Sequence, residues 1–127
     1  MKIAIVILNW NGRNMLKRFL PILQSNLIAD SVVFVADNAS SDDSLQLLKS
    51  DFPDVRVIEL DKNYGFADGY NKALQQIDAE YYLLLNSDVE VTSDWIEPML
   101  WFMEANHDVA ACQPKILSIS DRHSFEY

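Results

Sequence analysis

The sequence predicts an α/β fold: an open, mostly parallel sheet with flanking helices. Five short apolar or β-branched runs recur, KIAIVIL (2–8), VVFVAD (32–37), VRVIEL (55–60), YYLLLN (81–86) and VAACQ (109–113). Each has strand length, and most lack the alternation of a half-exposed strand, as expected for strands buried on both faces. Between the runs, apolar residues fall at helical spacing, so strand and helix alternate as in β-α-β units. The chain has 127 residues, half of them hydrophobic, which is the size of one domain with one core. It carries no internal repeat, linker or low-complexity tract.

Each element follows from its own residues. After the first strand, Leu16, Phe19, Leu20, Leu23 and Leu27 repeat at i, i+3, i+4, i+7, the stripe of an amphipathic helix. After the second, SSDDSLQLLKS supplies Ser and Asp oxygens to cap a helix N-terminus and negative charge to suit its dipole, with Leu45 and Leu48 facing inward. After the third, Phe66, Tyr70, Ala73, Leu74 and Ile77 line one side of a helix. After the fourth, Ile96, Met99, Leu100 and Met103 do the same, with Pro98 in or near the first turn. Trp95, Trp101 and Phe102 share that periodic stretch and are expected in the core. Cys112, in the fifth run, is expected as a small buried hydrophobe. The final KILSISDRHSFEY has no capping element, so the chain reads as the first part of a longer domain whose sheet is incomplete at the C-terminus.

Composition removes several function classes. Ten basic residues against nineteen acidic ones give a formal charge of −9, with no Lys/Arg cluster, which argues against binding nucleic acid through its phosphates. The same charge repels any phosphate-bearing ligand unless helix N-termini or a bound cation offset it locally. A single cysteine allows no intrachain disulfide and fits a reducing compartment. The apolar run Ile3 to Leu8 is too short for a signal-peptide core, and no segment has the length of a membrane span. His107 and His123 are isolated from each other and from cysteine, so no zinc site is expected.

In an open parallel sheet, ligands bind at the C-terminal ends of the strands. Strand one exits into Asn9-Trp10-Asn11-Gly12, strand two into Asp37-Asn38-Ala39-Ser40, strand three into Asn63-Tyr64-Gly65-Phe66, and strand four into Asn86-Ser87-Asp88. Any one of these alone reads as a turn or cap. Four on one edge, two with an Asp, point to a shared pocket. Asp88, with Asn86 two residues before it, has the oxygen atoms to hold a divalent cation that bridges to a ligand's diphosphate, and Glu90 adds a further oxygen or faces solvent. Asp37 is suited to accepting hydrogen bonds from a base or ribose edge. NYGFADGYN is neither a G-x-G-x-x-G fingerprint nor a Walker loop, so Gly65 and Gly69 are expected to permit close approach of backbone to ligand or strand.

VILNWNG, VADNASSDDS, NYGFADGYNKAL and LLLNSDVEV, in this order and spacing, resemble the nucleotide-sugar-binding part of family 2 glycosyltransferases with the GT-A fold, in wording closest to the bacterial rhamnosyltransferase-like group. The resemblance spans nearly the whole chain. It implies that residues 1–127 are the nucleotide-diphospho-sugar-binding half of such a domain. Asn9, Trp10, Asn11 and Asp37 would then contact the nucleoside, and Asn63, Gly65 and Asn71 would shape the next wall. Asn86-Ser87-Asp88 stands where the family has its D-x-D motif, with Asp88 as the retained carboxylate and Asn86 as a departure, binding Mg2+ or Mn2+. The implied reaction is inverting transfer of a sugar to an acceptor hydroxyl, saccharide or lipid-linked, in bacterial polysaccharide, cell-wall or glycolipid synthesis. The family's catalytic base lies in a downstream half that nothing here matches. The implied location is cytoplasmic, at the inner face of the membrane. Two other readings remain: a non-catalytic nucleotide-binding or interaction module, and a receiver-like signalling domain. A receiver would use Lys115 but needs an acidic pair where Asn9-Trp10-Asn11 stands.

Overall fold

The computed structural model describes residues 1–121; His123 and the aromatic residues of the last three positions lie outside the described residues. Strands and helices alternate in the order β1 (Ile3–Asn9), α1 (Arg13–Gln24), β2 (Ser31–Asp37), α2 (Ser44–Asp51), β3 (Arg56–Glu59), α3 (Gly65–Leu74), β4 (Tyr81–Leu84), α4 (Glu97–Ala105). The four strands form one parallel sheet in the order β3-β2-β1-β4. In register, Asn9 pairs with Asp37 and Asp37 with Glu59, so the first three exits end level at one edge.

The two central strands are buried on both faces, as their unbroken apolar runs require. From β1 and β2, Ile3, Ile5, Ile7, Val33 and Val35 join Leu16, Leu20 and Leu23 of α1 and Leu47 and Leu48 of α2 in the larger core. Ala4, Val6, Phe34 and Ala36 face the other way, onto Tyr70 and Ala73 of α3. Small residues on that face let α3 lie close. A Cβ added at Gly69 would stand 2.9 Å from Leu8 Cδ2, tighter than van der Waals contact, so the expected close approach to a strand is realised there. Of the edge strands, β4 alternates: Tyr81 and Leu83 pack on the larger core, while Tyr82 and Leu84 are exposed; in β3, Val57 and Ile58 are each half-buried, against opposite cores.

The structure departs from expectation in several places. Residues 109–113 form no strand; Ala110 and Ala111 favour strands poorly, and Pro114 cannot donate to a ladder. Cys112, having no sheet to enter, is exposed. In α4 no residue is fully buried, and Trp101 and Phe102 face outward. The helix is held by Leu100 against the larger core, by the preceding Trp95, whose Nε1 donates to Asn26 O at 3.1 Å, and by Lys2, whose Nζ lies 2.6 Å from Glu104 and 3.0 Å from Glu80. Phe66 is exposed rather than inward because it sits in the first turn of α3, beyond the sheet edge; its ring meets Tyr70 edge-on at 5.1 Å. In α2, Leu47 and Leu48 are buried and Leu45 only partly so.

Candidate functional site

The first two exits are locked together by side chains. Asn9 Nδ2 donates to Asp37 Oδ1 at 2.9 Å and to Ser40 Oγ at 3.2 Å. Asp37 also accepts from the Ser40 hydroxyl at 2.6 Å and the Ser40 N–H at 2.9 Å. Both Asn9 and Asp37 are 1% exposed. The expectation of a carboxylate free to meet a base or ribose edge is therefore revised: a buried carboxylate calls for donors, and Asp37 takes three, from Asn9 of the first exit and from the Ser40 hydroxyl and N–H. Asn9 Oδ1 has no protein partner. It faces Gly12, where any Cβ would collide with it. That makes glycine necessary at position 12 for space, its φ being an ordinary −102°.

Asn11, at φ 52°, reaches across the same two loops. Its Oδ1 accepts the Ser41 N–H at 2.7 Å and the Asp42 N–H at 3.2 Å, and its own N–H donates to Ser40 Oγ at 2.9 Å. Asp42 returns the tie by accepting the Arg13 N–H at 3.1 Å, which caps α1, and the Ser44 N–H at 3.0 Å. Burial acts to raise the Asp42 carboxyl, but hydrogen bonds from the Ser44 hydroxyl and from both backbone groups outweigh it and hold the carboxyl below its ordinary value. Trp10, between these polar anchors, is 58% exposed.

At the third exit, Asn63 Oδ1 accepts the Gly65 N–H at 2.8 Å and Asn38 Nδ2 at 3.1 Å. Gly65 has φ +76° with open space where a Cβ would stand, a conformation natural to glycine. The Tyr64 hydroxyl donates to Asp61; that bond raises the phenol and lowers the carboxyl. The Lys62 and Lys72 ammoniums stand 5.0 and 4.9 Å from the Tyr64 ring centre. Asn71 lies two turns into α3, exposed.

The fourth exit joins through two contacts. The Tyr70 hydroxyl donates to Leu85 O at 3.2 Å, its pKa raised by burial. A methyl at Gly12 would stand 3.6 Å from Ser87 Oγ, so Ser87 closes on the first exit. Asn86 and Asp88 are exposed and Glu90 is half-buried. Among the described residues no three His, Cys, Asp or Glu side chains converge as a metal cage. Asn86 and Asp88 carry exposed side-chain oxygens, the atom type a hard cation binds.

Of the residues expected at the site, Asn9, Trp10, Asn11, Asp37, Asn63, Gly65, Asn86, Ser87 and Asp88 all lie in or beside the strand exits, while Asn71 stands apart from the hydrogen-bonded network. Gly12, Asn38, Ser40 and Asp42 complete that network, and sequence reasoning does not single them out. The signal for them is their place within the same four loops.

Residues 4–125 match the family model described as glycosyl transferase family 2. A teichoic acid poly(glycerol phosphate) polymerase of Staphylococcus epidermidis is 26% identical over 96 residues, covering 72% of this chain and 13% of that protein. Residues 1–349 of S. aureus TarS in complex with UDP-GlcNAc superpose with a TM-score of 0.73 at 20% identity, over 96% of this chain and 42% of that one. The mannosyltransferase PcManGT of Pyrobaculum calidifontis, in complex with GDP-Man and Mn2+, gives 0.73 at 16% identity, over 91% of this chain and 33% of that one. The chain thus spans less than half of each protein it resembles here.

Proposed function

The chain belongs to glycosyl transferase family 2 and shares the fold of GT-A enzymes, and on that premise we propose that residues 1–127 are the donor-binding part of an inverting glycosyltransferase. The observation that carries this reading is the convergence of four strand exits on one edge. Asparagine and serine side chains tie the loop backbones together, while Trp10, Phe66, Asn86 and Asp88 stay exposed. A preorganised polar rim with free aromatic faces suits a nucleotide, whose base stacks and whose diphosphate needs oriented polar groups.

The nucleoside wall comprises Asn9, Trp10, Asn11 and Asp37. Trp10 offers a ring face, and Asp37 acts from behind by fixing Asn9 and Ser40. Asn63, Gly65 and Asn71 form the neighbouring wall, and Asn86, Ser87 and Asp88 lie at the diphosphate end. Asp88 and Asn86 would hold Mg2+ or Mn2+. When bound, the cation neutralises charge that develops on the departing diphosphate. With a formal charge of −9 on the chain, such an offset is what lets an anionic donor enter.

The reaction needs a base to deprotonate the acceptor hydroxyl as it attacks the anomeric carbon from the face opposite the leaving group. Asp37 is spent and Asp88 is placed for the cation, so we assign the base to residues outside this chain. The isolated chain then binds donor without transferring sugar. The poly(glycerol phosphate) polymerase relative supports a cell-envelope polymer as the product class, with a saccharide or lipid-linked acceptor met at the cytoplasmic membrane face. No helix among the described residues is long and apolar enough to cross a membrane.

Calorimetric titration of the chain with UDP, dTDP and GDP, with Mn2+ and then with excess chelator, tests the reading. The expected result is base-selective binding that disappears on chelation. A folded chain that binds none of the three would overturn it.

A further inference from the structure

Asn38 is 2% exposed and spends its whole amide on one neighbouring loop. Its Nδ2 donates to Asn63 Oδ1 at 3.1 Å and to Gly65 O at 3.0 Å, and its Oδ1 accepts the Tyr64 N–H at 2.9 Å. Its own N–H donates to Asn9 O at 2.8 Å, so the same residue is anchored to the first exit. Packing fixes it from below, since a Cβ at Gly69 would stand 3.1 Å from its Nδ2. Both amide hydrogens are used, leaving no donor for a ligand. The loop it grips leaves β3 at Leu60, whose N–H donates to Asp37 O at 2.9 Å, and enters α3 at Gly65; between those two anchors Asn38 ties it to the neighbouring exit.

We propose that Asn38 is a positioning residue of the donor site, one that touches no ligand and sets the Asn63–Gly65 wall against the first exit. The proposal rests on the donor reading above and adds how the third wall acquires its place. It distinguishes Asn38 from an ordinary turn residue, because the side chain must donate twice and accept once in a single orientation. Only an amide does this at that size. An aspartate there keeps the acceptor for the Tyr64 N–H but turns a carboxylate oxygen toward two carbonyl-type oxygens. Protonating that carboxylate restores one donor, and burial raises the pKa at which this happens.

The experiment compares nucleotide affinity of the wild type and Asn38→Asp for UDP, dTDP and GDP from pH 8 to pH 5.5. The titratable groups of the adjoining loops and helix are Asp37, Asp61, Lys62, Tyr64 and Lys72, and the nucleotide phosphate titrates as well. All of these are present in both proteins and cancel in the ratio. The expected ratio at pH 8 is a loss on the order of tenfold to a hundredfold, from losing the two hydrogen bonds to Asn63 Oδ1 and Gly65 O, narrowing as pH falls; Asn38→Leu should show the loss without the narrowing. A ratio near one at every pH, with the wild type binding, overturns the positioning role alone. A wild type that binds none of the three nucleotides overturns the donor reading and this role with it. Should the variants not fold, amide exchange in the wild type decides: protection at Tyr64, whose N–H donates to Asn38 Oδ1, supports the tie, and exchange there at open-loop rates overturns it.

Discussion

Polar side chains that reach from one strand exit to the next are the working units of this site. Asn9 donates to Asp37 and Ser40, Asn11 and Asn63 accept through Oδ1, and Asn38 donates and accepts with one amide. Their positions at strand exits are readable in the sequence, but their partners are not, because an isolated Asn after a strand reads equally as a turn residue. The two site glycines separate by mechanism. Gly65→Ala meets no atom but must hold φ +76°, so it should cost about 1–2 kcal/mol in urea unfolding. Gly12→Ala should both destabilise the fold and loosen the buried Asn9–Asp37 pair by steric collision. Asp88→Ala is expected to remove the Mn2+ dependence of nucleotide binding with no change in Tm. Unchanged Mn2+ dependence would take Asp88 out of the site.

Among the elements, the four paired strands and their helices were legible because periodicity reports burial directly. The fifth strand was not, since a run such as VAACQ has the same hydropathy whether or not a sheet edge is there to receive it. The α4 face misled for a related reason: Trp101 and Phe102 have helical spacing, but periodicity does not say which side meets a partner. α1 is capped from another loop by Asp42, an arrangement no local pattern shows; Asp42→Ala should cost about 1 kcal/mol. Because the folded Asp42 carboxyl lies below its ordinary 3.8, its stabilisation is present above that pH. It is lost as pH falls through the lowered folded value. Acid titration of stability should accordingly be shallower in Asp42→Asn than in the wild type. The α4 helix, held largely by Lys2, Trp95 and Leu100, should exchange its amides faster than β1. Lys2→Met or raised salt should speed it further.

For the whole molecule, a parallel sheet collects four loops at one edge while a −9 charge opposes the anionic donor that we propose they bind. Charge and class were plain from composition, and the shared edge followed from the β-α-β pattern. The inward turn of Asp37 could not be read, because a sequence places a side chain at a strand end without showing whether its oxygens meet solvent or a neighbouring loop. The most direct test of the donor site is amide mapping by nuclear magnetic resonance as UDP, dTDP or GDP is titrated with the diamagnetic cation Mg2+. The expected shifts lie at residues 9–12, 37–41, 63–66 and 86–88, all on the C-terminal edge of the sheet. Shifts confined to the opposite edge, around Leu27, Ser31 and Val55, or to the exposed aromatics of α4, would contradict it.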